Sequence, residues 1–207
     1  MKIPINVPII EKDEINEVCS VLTEKSLTSA ANAVGKRVQE FEQLLASYVK
    51  SKYAIAVNSG TAALQASLYA LDIKQGDEVL IPSFTFVATA NSILSVGAKP
   101  VFVDIRPENY TMDPSDLKKK ITKKSKVIMP VHLYGNFSYM DEISEIADKN
   151  NLEIIEDACQ SLGTTYKKKQ SGTFSKMGCF SMYAAKVMTS GEGGAIVINP
   201  ATALTWA

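Results

Sequence analysis

From residue 53 to residue 198 this chain alternates short apolar runs rich in β-branched residues with turns of small residues and stretches of helical periodicity. The runs are 53–57, 78–81, 100–104, 126–131, 152–156, 178–182 and 194–198. Helices are expected up to about residue 71, over 85–96 and over 139–150. Strands apolar at consecutive positions must be buried on both sides, and alternation with helices places those helices on both faces. The pattern specifies an α/β three-layer sandwich around a mainly parallel sheet. In such sheets chemistry gathers at the carboxyl ends of the strands. Upstream, residues 10–22 and 35–48 are helical candidates. In the second, Val38, Phe41, Leu44, Leu45 and Tyr48 recur at helical spacing and predict one apolar face. The chain divides into an arm with helices over 1–50, the sheet domain over 51–198 and a tail over 199–207.

With 46% hydrophobic residues in 207, there is enough apolar material for one core of this kind. Basic and acidic residues balance at 22 each, which gives no electrostatic reason to expect nucleic acid or an anionic membrane as partner. The runs Lys118-Lys119-Lys120 and Lys167-Lys168-Lys169 read as solvated surface. Cys19, Cys159 and Cys179 show no motif spacing; they read as reduced thiols of a cytoplasmic protein, each a small buried hydrophobe. Pro4 and Pro8 fall where a signal peptide would need its apolar core. No apolar run is long enough to span a bilayer.

Residues able to do chemistry follow several of the runs. Asn58-Ser59-Gly60-Thr61 opens a helix, where amides and hydroxyls form a phosphate cradle. An ordinary cap with a glycine turn accounts for the same residues. In the segment 82–91, Phe84 and Phe86 read either as core or as an aromatic plate for a planar cofactor. Glu156, Asp157 and Gln160 close a strand; a carboxylate there is a partner for a protonated ring nitrogen, a loop acid or a cap. His132, the single histidine, reads as a hydrogen-bonded structural residue. One histidine without a cysteine cluster leaves few ligands, so no metal is expected. The stretch 190–194 lacks the GxGxxG pattern in its strand-to-helix setting and reads as a turn.

Lys186 stands apart, a lone amine among apolar and small neighbours just before that glycine-rich turn. A poorly solvated lysine has its ammonium disfavoured, so its pKa falls and the amine becomes a nucleophile, as a Schiff-base lysine must. A stem lying on apolar surface with its head in water is the other reading. A phosphate cradle, an aromatic plate, a carboxylate and an amine at successive strand ends are the parts that pyridoxal phosphate requires.

The segments 58–64, 82–91, 97–104, 130–135, 155–160, 180–186 and 191–194 carry a resemblance that extends over 5–198. The chain resembles the DegT–StrS family of sugar-nucleotide aminotransferases, which share the aspartate aminotransferase fold. The resemblance implies that 51–198 is the large domain of a PLP-dependent transferase. It implies that Lys186 forms the internal aldimine, Asp157 pairs with the pyridine nitrogen and Gln160 lies near the ring hydroxyl. Phe86 would stack on the ring, Gly60 and Thr61 would hold the phosphate, and Ser181 would add a hydroxyl. Lys186 and Asp157 are thus the catalytic pair, Lys186 shuttling the proton and Asp157 keeping the ring an electron sink. The implied reaction moves an amino group from a donor, usually glutamate, to a nucleotide-linked keto sugar, for surface polysaccharide or glycoconjugate synthesis. A sister group of dehydratases carries histidine at the lysine position, so Lys186 points to transamination.

The chain departs from the family pattern in three places. Ser175-Lys176 stand where Gly-Asp is usual, and Ala185 where a hydroxyl residue is usual. Family members run to nearly twice this length, are dimers, and have a small C-terminal domain that this chain lacks. The tail over 199–207 does not match the usual continuation, so a truncated chain is expected. That chain would bind PLP and dimerise with weak or absent transamination; the alternative is a non-catalytic PLP-binding or scaffold fragment.

Overall fold

Two helices, α1 (Lys12–Glu24) and α2 (Lys36–Val49), precede the sheet. Strand and helix then alternate: β1 (Tyr53–Val57), α3 (Gly60–Ala70), β2 (Glu78–Pro82), α4 (Val87–Ser95), β3 (Lys99–Val103), α5 (Pro114–Lys120) and β4 (Ser125–Ile128). A single 3-10 turn (Leu133–Gly135) leads to α6 (Met140–Asn150) and β5 (Glu153–Asp157). A small hairpin, β6 (Thr165–Tyr166) and β7 (Lys169–Gln170), comes before β8 (Met177–Ser181) and β9 (Gly194–Ile198). This computed structural model describes residues 7–28 and 35–199. The start of the expected arm and the tail from 200 onward lie outside the described residues.

The main sheet runs β1-β9-β8-β5-β4-β2-β3. Its five strands from β8 to β3 are mutually parallel, and β9 is antiparallel to both β8 and β1. Side-chain alternation builds a core on each face. Val79 and Ile81 of β2, Ile155 of β5 and Cys179 of β8 pack with Leu64 and Leu68 of α3 and Ile93 of α4. Leu80 of β2, Ile128 of β4 and Ile154 of β5 pack on the other face with Leu117 of α5 and Ile143 and Ile146 of α6. Phe180, Ala195 and Val197 pack with Leu45 and Val49 of α2. Each such side chain contributes about 1.5–3 kcal/mol by leaving water. The expected three-layer α/β sandwich is the observed fold.

The departures have local causes. Leu44 and Tyr48, expected on the apolar face of α2, are exposed, because the edge that meets the sheet is that of Phe41, Leu45 and Val49. Helix α5 and the β6–β7 hairpin follow no apolar run and were not expected from periodicity; α5 buries only Pro114 and Leu117. The two lysine runs are exposed, as expected. Cys179 is buried, but Cys19 is exposed on α1 and Cys159 is half-buried beside the pocket described next.

Candidate active site

The carboxyl ends of β1, β2, β5 and β8 open into one cavity of about 380 Å³. Gly60, Thr61, Phe86, Asp157, Gln160, Ser181 and Lys186, the residues singled out in the sequence, all line it. The fold explains the convergence. Parallel strands end at one edge, and each of these residues lies within a few positions of a strand's end.

The α3 N-terminus enters the cavity between β8 and β9. Ser59 caps the helix, its Oγ accepting the Ala62 amide at 3.1 Å. The amides before it, those of Gly60 and Thr61, have no acceptor one turn back in the helix and carry its positive end. Gly60 is required here by space: a Cβ would come within 2.8 Å of both the Cys159 sulfur and the Ser181 Cβ. At β9, a Cβ on Gly194 would come within 2.4 Å of the Ser59 carbonyl. The cradle is therefore formed by close backbone approach, with the Ser181 hydroxyl beside it.

Asp157 sits at the tip of β5, 5% exposed. Its Oδ1 accepts the Cys159 amide at 3.2 Å and its Oδ2 accepts the Thr89 hydroxyl at 2.9 Å. Because Thr89 gives its proton to the carboxylate, Thr85, 2.8 Å from it, must donate to Thr89. Thr85 and Thr89 are site residues that the sequence reading missed. Thr89 reaches Asp157 because α4 starts over the β5 tip, a juxtaposition across 68 positions that no local signal announces. Burial foremost, and then the Asp157 carboxylate, push the Cys159 thiol well above the usual thiol range, so it lines the wall as a neutral group.

Gln160 turns its Oε1 to the Tyr134 amide at 3.1 Å. That amide is a donor, so the side-chain NH2 is the end left for the cavity. Phe86, the residue preceding α4, is 64% exposed, and Phe84 is exposed too. The core reading of both rings is therefore overturned: residue 86 lies at the mouth of the cavity, not beneath the helix. Lys186 is half-buried rather than enclosed, and among the described residues its ammonium has no ion pair or hydrogen-bond partner. His132 is absent from the lining. It is fully buried behind the sheet edge, hydrogen-bonded as the sequence suggested.

These groups fit pyridoxal phosphate on their own geometry. The cavity holds a fixed carboxylate, an amine with no ion-pair partner among the described residues and a crowded helix N-terminus, and an aromatic ring stands at its mouth.

The model of the DegT/DnrJ/EryC1/StrS aminotransferase family matches residues 8–204. UDP-2-acetamido-2-deoxy-3-oxo-D-glucuronate aminotransferase of Pseudomonas aeruginosa is 46% identical over 167 residues, covering 80% of this chain and 46% of that protein. The X-ray structure of an aminotransferase from Psychrobacter cryohalolentis superposes with a TM-score of 0.90 at 38% identity, over 94% of this chain and 49% of that one. A Bacillus subtilis structure with bound cofactor PMP superposes with a TM-score of 0.83 at 35% identity, over 96% and 46%. The chain spans about half the length of the curated relatives it matches.

Proposed function

The chain belongs to the DegT/DnrJ/EryC1/StrS aminotransferase family, and on that premise we propose that it binds pyridoxal 5′-phosphate in this cavity and serves amino-group transfer from an amino-acid donor to a nucleotide-linked keto sugar. One observation carries the reading: a fixed carboxylate, an unpaired amine and a crowded helix N-terminus share one cavity. When bound, the cofactor supplies a protonated ring that withdraws electrons from the carbon bearing the amino group.

The protein's own groups do the rest. The α3 N-terminus, with Gly60 and Thr61, binds the phosphate, and Ser181 adds a hydroxyl. Asp157, held by Thr89 and the Cys159 amide, keeps the ring nitrogen protonated. Phe86 covers a ring face, and the Gln160 NH2 donates to the ring oxygen. Lys186 would hold the cofactor and, when released, its Nζ would be the group in the cavity able to take up and return a proton.

The keto sugar is supported by the P. aeruginosa relative, whose name specifies an oxo sugar carried on UDP. Glutamate as the donor follows from the family resemblance. A homodimer is supported by exposed apolar side chains: Phe86 and Tyr183, which line the cavity, and Val87 and Val187, each next in sequence to a lining residue. A cytoplasmic setting is supported by three free thiols. No helix among the described residues is long and apolar enough to cross a membrane. The second reading is cofactor binding without turnover.

Borohydride reduction of the purified chain with PLP, followed by peptide mapping, tests the proposal. A phosphopyridoxyl group on Lys186 is expected. A folded chain unlabelled at Lys186 would overturn the reading. Labelled chain inactive with glutamate and nucleotide keto sugars would leave the second reading standing.

A further inference from the structure

Behind the cavity wall lies a second polar cluster that the proposed chemistry does not use. Glu156 and His132 are both fully buried, with His132 Nε2 3.0 Å from Glu156 Oε2. The Ser138 amide donates to His132 Nδ1 at 3.2 Å, so Nδ1 carries no proton. The ring proton is therefore on Nε2, and the imidazole donates to Glu156. The same carboxylate accepts the Gly172 amide at 2.9 Å, the Ser175 amide at 2.8 Å and the Ser175 hydroxyl at 2.9 Å. Four donors converge on one dry carboxylate. The close pairing of Gly172 and Gly178 lets the loop before β8 come this near: a Cβ on Gly178 would fall 2.1 Å from the Gly172 carbonyl oxygen.

Through its backbone His132 borders the site. Its amide donates to the Asp157 carbonyl at 3.1 Å, and the Asp157 amide donates to Pro130. The chain then turns through Tyr134, which has a left-handed backbone (φ 54°) unusual for its residue type. Tyr134 presents its amide to Gln160. The return of the turn is fastened by Ser138, whose amide meets the His132 ring and whose hydroxyl donates to the Val131 carbonyl at 3.0 Å. The ring of Phe137 stacks 4.4 Å from the imidazole.

We propose that His132 and Glu156 are a positioning pair: anchored by the loop before β8, they hold the Tyr134 turn so that Gln160 presents its NH2 to the cavity. The consequence for the cofactor rests on the reading given under Proposed function; the coupling of the pair to Gln160 does not.

The test uses the 207-residue chain, untagged and 15N-labelled. Its single histidine makes the ring signals unambiguous. The imidazole spectrum is expected to place the proton on Nε2. Glu156→Gln sets an NH2 against donors; His132→Asn is the milder cut, since its amide oxygen can still accept from Ser138. In both, exchange of the Tyr134 amide should speed up by about tenfold or more, the equivalent of one hydrogen bond, with α3 amides unchanged. With PLP bound, both variants should move the cofactor's visible absorbance in the direction that Gln160→Leu moves it. A proton on Nδ1, an unchanged Tyr134 amide, a uniform rise at all amides, or wild-type absorbance in both variants would overturn the pair's role. If wild-type chain captures no PLP, the proposed function fails, and the exchange data alone decide the pair. If Glu156→Gln does not fold, His132→Asn decides it.

Discussion

Glu156 and Asp157 are adjacent on β5, and the pleat sends their carboxylates to opposite faces of the sheet. Glu156 is sealed behind the cavity with four donors and no solvent. Asp157 has two donors, one for each oxygen, and lines the cavity. The first spends its whole hydrogen-bonding capacity on the fold. The second keeps capacity in reserve, and that reserve is what a ligand can use. Side-chain alternation alone separates the two tasks, since one residue of register exchanges the faces.

Breaking Glu156 should have the largest effect on stability. Glu156→Ala strands the imidazole donor and two amides, at a cost of about 3 kcal/mol or more in urea denaturation, while the Ser175 hydroxyl keeps the Met177 carbonyl at 3.0 Å. A cost near that of a surface substitution would dissolve the contrast. Asp157→Asn should cost only about 1 kcal/mol, because the Thr89 and Thr85 hydroxyls can rotate to accept from the new NH2. The same change removes the charge proposed to keep the ring nitrogen protonated, so PLP retained on gel filtration should fall about tenfold or more. Equal stability losses in the two variants would show that the faces are not so divided.

How far the sequence disclosed this division differs between fold and site. The strands are legible because residues such as Val79, Leu80 and Ile81 are apolar in succession, which only a doubly covered sheet tolerates. Helix α5 escapes notice because Leu117 is its one large buried side chain. Leu44 and Tyr48 mislead because periodicity shows which residues share a helix face but not how much of it is covered. In the site, Lys186, Asp157 and Gly60 are legible as chemistry at strand ends. Thr89 is not, since its partner lies on a distant strand. Glu156 was within reach: once Asp157 faces the cavity, strand alternation requires its neighbour to face away, and a charge so buried requires donors.

A carboxylate at the opposite end of the sheet provides a control. Glu78, nearly buried at the start of β2, accepts the Thr122 hydroxyl at 2.5 Å and Lys99 at 3.2 Å. Those bonds, Thr122 first, outweigh burial and hold its carboxyl below the usual glutamate range. A depressed folded-state pKa gives stability that is present above the unfolded value and lost as pH falls through the folded one. Glu78→Gln should therefore cost about 1 kcal/mol at neutral pH, with the difference from wild type closing in acid below the ordinary glutamate range. A difference that stays constant with pH would assign Glu78 a packing role instead.

Lys186 should show the smallest effect on stability. It is half-buried and its ammonium has no partner among the described residues, so nothing in the fold depends on its charge. Lys186→Ala should leave unfolding free energy within about 0.5 kcal/mol of wild type. The same variant should lose the borohydride-trapped adduct entirely. Glu156 and Lys186 then mark the two ends of one scale: the group with every partner satisfied is indispensable to folding, and the group with none is the one free to react. A large stability loss in Lys186→Ala would break that scale, because it would show that the amine is already committed within the fold and not held ready for a ligand.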